Sequence, residues 1–301
     1  MQTSFASEEE RVFFQEAFSR NKGLLSEEEQ DRLRRSTVAI AGLGGVGGIE
    51  TVGLAHLGVG GFHLIDPDVF EVANFNRQVG AMMSTVGKSK AETMAAMIRD
   101  INPFARVTVW NEELNETNIG SFLDGADVVI DGIDFFLPQV RRLLYHEARK
   151  NGQFVVGAGP IGFGSASLVF DPQGMDFDTY FDIHDGMTEQ DMTLRFGIGL
   201  TPSLLQRSYF HPEKVDFEGK SGASLVMGTF FAAGLVLTNI TKVLLGYPVS
   251  AAPASMHFDP FVGKLKTPYL MFGNRGLIQR VKFKIAVWMI RRGAVMRSRE
   301  R

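Results

Sequence analysis

The feature that most constrains the fold is the segment AGLGGVGG (41–48), which joins an apolar run to a helical pattern. The run before it, STVAIAG (36–42), is short and partly β-branched, as in a buried strand. The glycines follow the pattern G-x-G-x-x-G at Gly42, Gly44 and Gly47. Glycines at these positions let the backbone approach a phosphate, and the helix that follows offers free N–H groups and a positive dipole end. The segment therefore predicts a strand–turn–helix unit that binds a nucleotide.

Strands and helices alternate through the first 170 residues. Short apolar runs predict further strands at 61–66, 106–110, 127–131 and 153–159. Helical spacing predicts helices at 45–59, 87–101 (capped by Ser84 or Thr85), 117–125 and 138–152. Such alternation favours an α/β fold of the Rossmann-like, doubly wound type, with a mainly parallel sheet and helices on both faces.

The chain divides into five predicted segments. Residues 171–220 have no clean period, which is typical of a long functional loop, here a crossover loop. A helical pattern resumes near residue 223 and is followed by short strand-like pieces. The segments are an N-terminal helical segment (1–35), a nucleotide-binding core (36–170), the crossover loop (171–220), a completing part (221–274) and a basic C-terminal tail (275–301).

Two stretches raise the question of a membrane. Between Lys220 and Lys242 lie 21 uncharged residues, but their several Ser, Thr and Asn side chains favour a buried core helix over a membrane span. The tail 275–301 has nine Lys/Arg and one acid, so it carries +8 while the rest of the chain carries −11. We expect a docked helix with a solvated basic end, in preference to a contact with tRNA or an anionic membrane surface.

Composition excludes several kinds of site. The chain has no cysteine, which excludes a thiolate nucleophile, a disulfide framework and a cysteine-based zinc centre. The six histidines show no metal-ligand spacing, so no zinc is expected. The first ten residues are acidic and lack an apolar stretch, unlike a signal peptide, and a cytoplasmic protein is expected.

The loop DPDVFEVANFNRQVG (66–80) identifies the nucleotide more closely. Asp66 ends the second predicted strand, where a carboxylate can bind ribose hydroxyls, and on this evidence alone an NAD-dependent oxidoreductase is the first hypothesis. However, Arg77 and Lys90 suit the charges of a triphosphate better than a dinucleotide. Asp134, at the end of another strand, is placed to hold Mg²⁺. The set favours ATP.

Four motifs in order resemble the ThiF/MoeB/ubiquitin-activating-enzyme superfamily: GLGGVGG, LIDPDVFEVANFNRQ, VGKSKAETM…INP and VVIDGIDF. The resemblance runs from about residue 18 to residue 170. It implies an enzyme that binds Mg-ATP and adenylates a carboxylate, such as the C-terminus of a small protein or peptide, or a small acid.

The resemblance also implies roles for individual residues. Asp66 would hold the ribose, Asp134 would bind Mg²⁺, and Gln78 would lie beside the phosphate contacts. The implied ATP loop is Gly42, Gly44, Gly45 and Gly47, and the implied phosphate contacts are Asn74, Arg77 and Lys90. FSRNKG (18–23) resembles the segment that lends an arginine to the partner subunit's ATP, so Arg20 (rather than Arg11, outside the motif) and a homodimer are implied.

The chain departs from this pattern in one respect. Many superfamily members carry a catalytic cysteine and Cys-x-x-Cys zinc ligands, and this chain has neither. An acyl-adenylate would therefore be attacked directly by a nucleophile in the same site or from a partner. Three alternatives remain: a tRNA threonylcarbamoyladenosine dehydratase-like enzyme, a non-catalytic partner subunit, and an NAD-dependent oxidoreductase.

Overall fold

The computed structural model describes residues 5–210 and 222–299, with side chains through residue 288. Its helices are α1 (Glu8–Ala17), α2 (Glu27–Arg35), α3 (Gly45–Leu57), α4 (Lys90–Ile101), α5 (Ile119–Leu123), α6 (Pro138–Lys150), α7 (Phe177–Phe181), α8 (Glu189–Leu200), α9 (Val226–Leu245) and α10 (Leu277–Arg299). Its strands are β1 (Thr37–Ala41), β2 (Gly61–Ile65), β3 (Arg106–Trp110), β4 (Val128–Asp131), β5 (Phe154–Ile161), β6 (Gly164–Phe170), β7 (Ser255–Asp259) and β8 (Lys264–Lys266).

One sheet joins all of these strands in the order β3-β2-β1-β4-β5-β6-β7-β8. The first five strands are parallel, which confirms the doubly wound α/β prediction. The last three extend the sheet in antiparallel fashion. The strand order reverses between β1 and β4, where ligands bind in open parallel sheets.

The core lies on both faces of this sheet. Successive strand residues point to opposite faces, so Val38 and Ile40 belong to one core cluster while Ala39 and Ala41 belong to the other. Leu33 of α2 and helices α3, α4 and α9 cover the first face. Helices α5 to α8 cover the second. Both faces are thus buried by helices, as the near-continuous apolar strands predicted.

Most of the long uncharged stretch lies in α9, which packs on the sheet as a core helix. Its buried side carries small residues such as Gly228, Ala232 and Ala233, followed by Val236 and Ile240. Within the described residues, α9 is the one helix whose length and apolar character would also suit a membrane span. Of its apolar 18-residue stretch, 39% is buried inside the protein. The buried side contacts β5, β6 and α3, as in a core helix.

Residues 171–210 contain two helices, although their sequence has no clean period and predicted a long crossover loop. This part contains α7 and α8, and its aromatic side chains are in the core: Phe177, Tyr180, Phe181 and Phe196 are buried. The five residues of α7 are too few to show a helical period, and the glycines of α8 weaken its pattern. The remainder of the predicted crossover loop, 211–220, lies outside the described residues.

Helix α4 begins later than predicted. Its N-cap is Ser89, whose hydroxyl accepts the Glu92 N–H at 3.2 Å, not Ser84 or Thr85. Thr85 instead donates from its hydroxyl to the Gly80 carbonyl oxygen at 2.6 Å, within the preceding turn. The later start makes Lys90 the first residue of the helix.

Candidate nucleotide site

The glycine loop connects the end of β1 to the start of α3. Gly42 has φ +87°, and its N–H donates to the Ile65 carbonyl oxygen at 2.9 Å. A Cβ at Gly47 would lie 1.9 Å from the Gly42 carbonyl oxygen, so no side chain fits there. Gly44 is the N-cap of α3, and among the described residues no side chain forms a capping hydrogen bond with the first N–H groups of the helix. The first N–H groups of α3 are therefore available to an anion at this edge of the sheet.

Asp66 ties the end of β2 to this loop. Its carboxylate accepts the Leu43 N–H at 2.7 Å and the Asp68 N–H at 2.9 Å, and only 5% of the residue is exposed. Burial raises the pKa of Asp66, and the positive charge of Lys90 opposes that rise. Sequence reasoning predicted a ribose contact for Asp66, and the structure adds that Asp66 fixes the loop itself.

Lys90 is held by Asp68, a residue to which the sequence gave no firm role. The Lys90 ammonium lies 2.8 Å from an Asp68 carboxylate oxygen, and the Lys90 N–H donates to the Asp68 carbonyl oxygen at 2.9 Å. The Lys90 side chain is 8% exposed and that of Asp68 is 63% exposed. Lys90 is thus a fixed cation, linked through Asp68 and Asp66 to the glycine loop.

Arg77 and Gln78 lie over the glycine loop. A Cβ at Gly45 would lie 3.5 Å from Arg77 Cγ, and one at Gly44 would lie 3.5 Å from Gln78 Nε2. Gln78 is buried, and its Oε1 has no hydrogen-bond partner among the described residues. The structure therefore brings both predicted side chains to the α3 N-terminus.

The arginine is oriented by its own loop. Arg77 Nη1 donates to Asn76 Oδ1 at 2.9 Å and to the Ala73 carbonyl oxygen at 3.3 Å. Asn74 has a structural contact here, because its Oδ1 accepts the Glu71 N–H at 3.0 Å and closes a short turn. The phosphate contact predicted for Asn74 remains a prediction.

Asp134 lies on the connection from β4 to α6, beside the glycine loop. A Cβ at Gly132 would lie 2.5 Å from the Gly42 carbonyl oxygen, so the two connections touch. Asp134 is exposed, and its Oδ1 accepts the Phe136 N–H at 2.8 Å. Its role as a Mg²⁺ ligand remains a prediction, with which this position near the carboxyl ends of the strands is compatible.

Arg20 is not brought to the site of its own chain. It is exposed on a short 3₁₀ turn, Ser19–Asn21, and the ring of nearby Phe18 packs beside Gly58. Gly58 follows the C-terminal end of α3, whereas the glycine loop precedes its N-terminal end. Because a helix of this length spans about 20 Å, Arg20 lies far from the loop within one chain.

The start of α9 contributes contacts that sequence reasoning missed. A Cβ at Gly45 would lie 3.1 Å from Thr229 Cγ2, and Asn76 Nδ2 donates to the Ser224 carbonyl oxygen at 3.0 Å. These segments are about 150 residues apart along the chain. The uncharged stretch indicated only a core helix, and no local signal pointed to the site.

A buried ion pair behind the site was also missed. Arg141 Nε lies 2.7 Å from Asp131 Oδ2, which also accepts the Tyr145 hydroxyl at 3.0 Å. The Arg141 guanidinium stacks 4.1 Å from the Phe196 ring centroid. The arrangement fixes the end of β4, from which the Asp134 connection departs, to α6 and α8. The i, i+4 spacing of Arg141 and Tyr145 on a predicted helix was the one available signal.

Comparison with known families decides the assignment that these contacts suggest. The family model described as the ThiF family matches residues 18–272, most of the chain. The chain belongs to the ThiF family.

Curated relatives of this ThiF-family chain match part of its length. The tRNA threonylcarbamoyladenosine dehydratase of Bacillus subtilis (strain 168) is 42% identical over 118 residues, covering 39% of this chain and 46% of that protein. The SAMP-activating enzyme E1 of Haloferax volcanii is 35% identical over 147 residues, covering 49% of this chain and 54% of that protein. The chain thus spans about half the length of these relatives.

Solved structures match more of this ThiF-family chain, at lower identity. E. coli MccB with MccA has a TM-score of 0.64 and 21% identity, covering 88% of this chain and 74% of that one. PaaA has a TM-score of 0.64 and 18% identity, covering 89% and 77%. E. coli TcdA, a tRNA N6-threonylcarbamoyladenosine dehydratase, has a TM-score of 0.56 and 24% identity, covering 77% and 95%. At these identities the likeness shows the shared fold alone.

Proposed function

We propose that this chain is an ATP-dependent adenylyltransferase that activates a carboxylate as an acyl-adenylate and releases pyrophosphate. The observation that carries the proposal is the convergence of Arg77 and Gln78 on the open N-terminus of α3. Lys90, held through Asp68 and Asp66, adds a second fixed cation to the same edge. Two cations and a helix N-terminus match a triphosphate better than a dinucleotide.

The residues present fit Mg-ATP. The close approaches at Gly42 and Gly47 leave a concave backbone where a side chain would otherwise stand. Gln78 Oε1 is a buried acceptor without a described protein donor, and a ligand hydroxyl, amino group or water can satisfy it. Mg²⁺, held by Asp134 and phosphate oxygens, would neutralise charge on the triphosphate.

The chemistry required of the protein is positioning and charge stabilisation. A substrate carboxylate oxygen attacks the α-phosphorus, the bond to the bridging oxygen breaks, and pyrophosphate leaves with the electron pair. Arg77 and Lys90 stabilise the charge that develops on the phosphates. Because the chain has no cysteine, the acyl-adenylate passes to a nucleophile without a thioester on this chain. The substrate class we propose is a peptide or small-protein C-terminus or a small acid.

Nucleotide binding by single variants tests the proposal. Arg77→Ala should weaken Mg-ATP binding in calorimetry by roughly tenfold or more, since it removes a charged donor. Arg99→Ala is the matched control, because Arg99 is exposed in the last turn of α4, away from Lys90, and should leave the affinity unchanged. Tight NAD binding without ATP binding would overturn the proposal in favour of an oxidoreductase. Binding of neither would favour a non-catalytic partner subunit.

A second candidate is a tRNA threonylcarbamoyladenosine dehydratase-like activity, which the 42% identity to the Bacillus subtilis protein favours. Such an enzyme also activates a carboxylate, but it loses water and needs no protein acceptor. Pyrophosphate release should be screened with peptides, small acids and modified tRNA, with mass spectrometry of the products. Cyclised nucleoside from tRNA would select this candidate, and an adenylated peptide or acid would select the first.

A further inference from the structure

Helix α10 is docked on the domain through one face. Gln279 Nε2 donates to the Ile198 carbonyl oxygen at 3.3 Å, and the Lys282 ammonium donates to the Pro202 carbonyl oxygen at 2.6 Å. The Phe283 ring lies 4.8 Å from the Arg195 guanidinium carbon. These contacts join α10 to α8 and the turn after it, as expected for a docked helix.

The outward face of α10 is apolar over the residues whose side chains the structure describes. The basic end that the sequence predicted to be solvated lies largely beyond Trp288, outside those side chains. Five side chains, each between 49% and 77% exposed, form an apolar stripe: Leu277, Ile278, Val281, Ile285 and Trp288. At 100° per residue they fall within an arc of about 100° on the helix. Met271 and Phe272, just before the helix, are also mostly exposed. A water-facing side this apolar is unusual for a helix that is already docked.

Cations border this stripe. Arg280 and Lys284 are exposed and lie on one flank of it, within about 60° around the helix. The sequence of Leu277–Arg299 contains seven Lys/Arg residues and no acid. Outside 275–301 the chain carries −11, so the net charge of the rest of the chain opposes an anionic surface, whereas that of this segment favours it.

We propose that α10 binds an anionic lipid surface through the apolar stripe and its flanking cations, independently of the nucleotide site. Exposed aliphatic side chains and a tryptophan beside Lys and Arg are the composition of a helix that lies in the headgroup region. An RNA surface would engage the cations but would leave Leu277, Ile278 and Val281 without an apolar environment. The lipid surface accommodates both the charges and the apolar stripe.

Vesicle binding by the full chain tests the proposal. The protein should co-sediment with vesicles that contain phosphatidylserine, and this binding should decrease in high salt. With phosphatidylcholine vesicles it should co-sediment weakly or not at all. Arg280→Gln with Lys284→Gln should weaken the binding by roughly thirtyfold. Ile278→Ser with Val281→Ser should also weaken it. Leu24→Ser is the apolar control, because Leu24 is the most exposed large apolar side chain in the part of the chain that the structure describes and lies between α1 and α2.

Fluorescence of the unmodified chain gives a second measurement that does not depend on a variant folding. Insertion of Trp288 should shift its emission to the blue with anionic vesicles, over a background from half-buried Trp110. Three results would overturn the proposal. These are the absence of binding to anionic vesicles, a salt-sensitive complex with tRNA but not with vesicles, and a stable dimer whose formation protects Trp288 from a soluble quencher.

Discussion

At the residue scale, the four glycines of the loop differ in what makes them necessary. Gly42 adopts a left-handed φ, and Gly47 contacts the backbone of Gly42 so closely that any Cβ would collide with it. Gly44 and Gly45 have more room, and the atoms nearest to them include side chains of the proposed site. Gly42 and Gly47 are therefore required by the backbone, and we expect Gly44 and Gly45 to be required by access of the proposed ligand.

We expect Gly47→Ala to destabilise the fold by on the order of 3 kcal/mol, because its Cβ would meet a carbonyl oxygen that cannot withdraw without moving β1. Gly120→Ala is the control. Gly120 is exposed in α5, and a Cβ there meets no described atom within 4 Å. It should stabilise the protein by up to about 1 kcal/mol. Urea denaturation measures both, and equal effects would contradict the loop geometry.

The acids of the DPDVFEVANFNRQ loop show what residue types alone leave open. The sequence identified Asp66 as the ribose acid, yet its observed contacts are the Leu43 and Asp68 N–H groups. Asp68, which had no firm role, forms the ion pair with Lys90. A carboxylate after a strand predicts hydrogen bonding, but only the folded loop determines which donors it reaches.

At the element scale, β7 and α10 meet at a buried histidine. His257 on β7 lies 3.3 Å from the Ser255 hydroxyl through Nε2, and Lys282 of α10 carries a nearby positive charge. Burial, and secondarily Lys282, lowers the pKa of His257 to about 4. The histidine is therefore neutral in the folded protein at neutral pH.

This lowered pKa predicts a loss of stability in mild acid. The contribution of His257 is fully present above the unfolded pKa of about 6.5 and is lost as the pH falls toward about 4, because only the unfolded chain accepts the proton easily. The loss approaches about 1.4 kcal/mol for each pH unit. His257→Asn should have a shallower dependence of unfolding free energy on pH across this range, whatever its stability at neutral pH. If urea denaturation gives the wild type and the variant the same dependence of unfolding free energy on pH, the lowered pKa does not belong to His257.

Elements were predictable where their pattern is long and local. The strands β1 to β5 and helices α3 and α6 follow from periods within single segments. Helices α7 and α8 did not. The aromatic residues of α7 are ordered by contacts with Tyr145 and Phe170, and Phe196 of α8 by contact with Phe181, rather than by a repeat of their own. Propensity is weak in short elements, and tertiary packing determines them.

At the scale of the whole molecule, the position of Arg20 makes the proposed dimer testable. One chain does not bring Arg20 to its own glycine loop, so we expect a second copy to supply it, as the family resemblance implied. Arg20→Ala and Arg77→Ala should each lose pyrophosphate formation with the carboxylate found by screening. An equimolar mixture of the two variants should recover about a quarter of the wild-type activity, because about half of the dimers are mixed and one of the two sites in each mixed two-fold dimer is intact.

The activity of the mixture distinguishes an Arg20 that acts in the partner's site from one that acts within its own chain. If Arg20 acts within its own chain, every site in the mixture carries at least one lesion and no activity returns. If sedimentation shows a monomer under assay conditions, the proposal of a second copy is wrong. A mixture of two Arg77→Ala preparations is the control for any activity gained by mixing alone.

The sequence by itself predicted the parallel α/β core and the glycine loop from residue types and local spacings, and Arg77 and Lys90 as candidate phosphate ligands from their charge. Gln78 was implied by the family resemblance. Only the tertiary structure decided that Thr229 and Ser224 join the site, that Asp68 holds Lys90, and that the antiparallel strands extend the sheet. It also decided that α10 turns an apolar stripe outward. The physical reason is that a face is buried only when a second element packs against it. The sequence of a segment determines which of its faces are apolar, and its neighbours in space determine which face is covered.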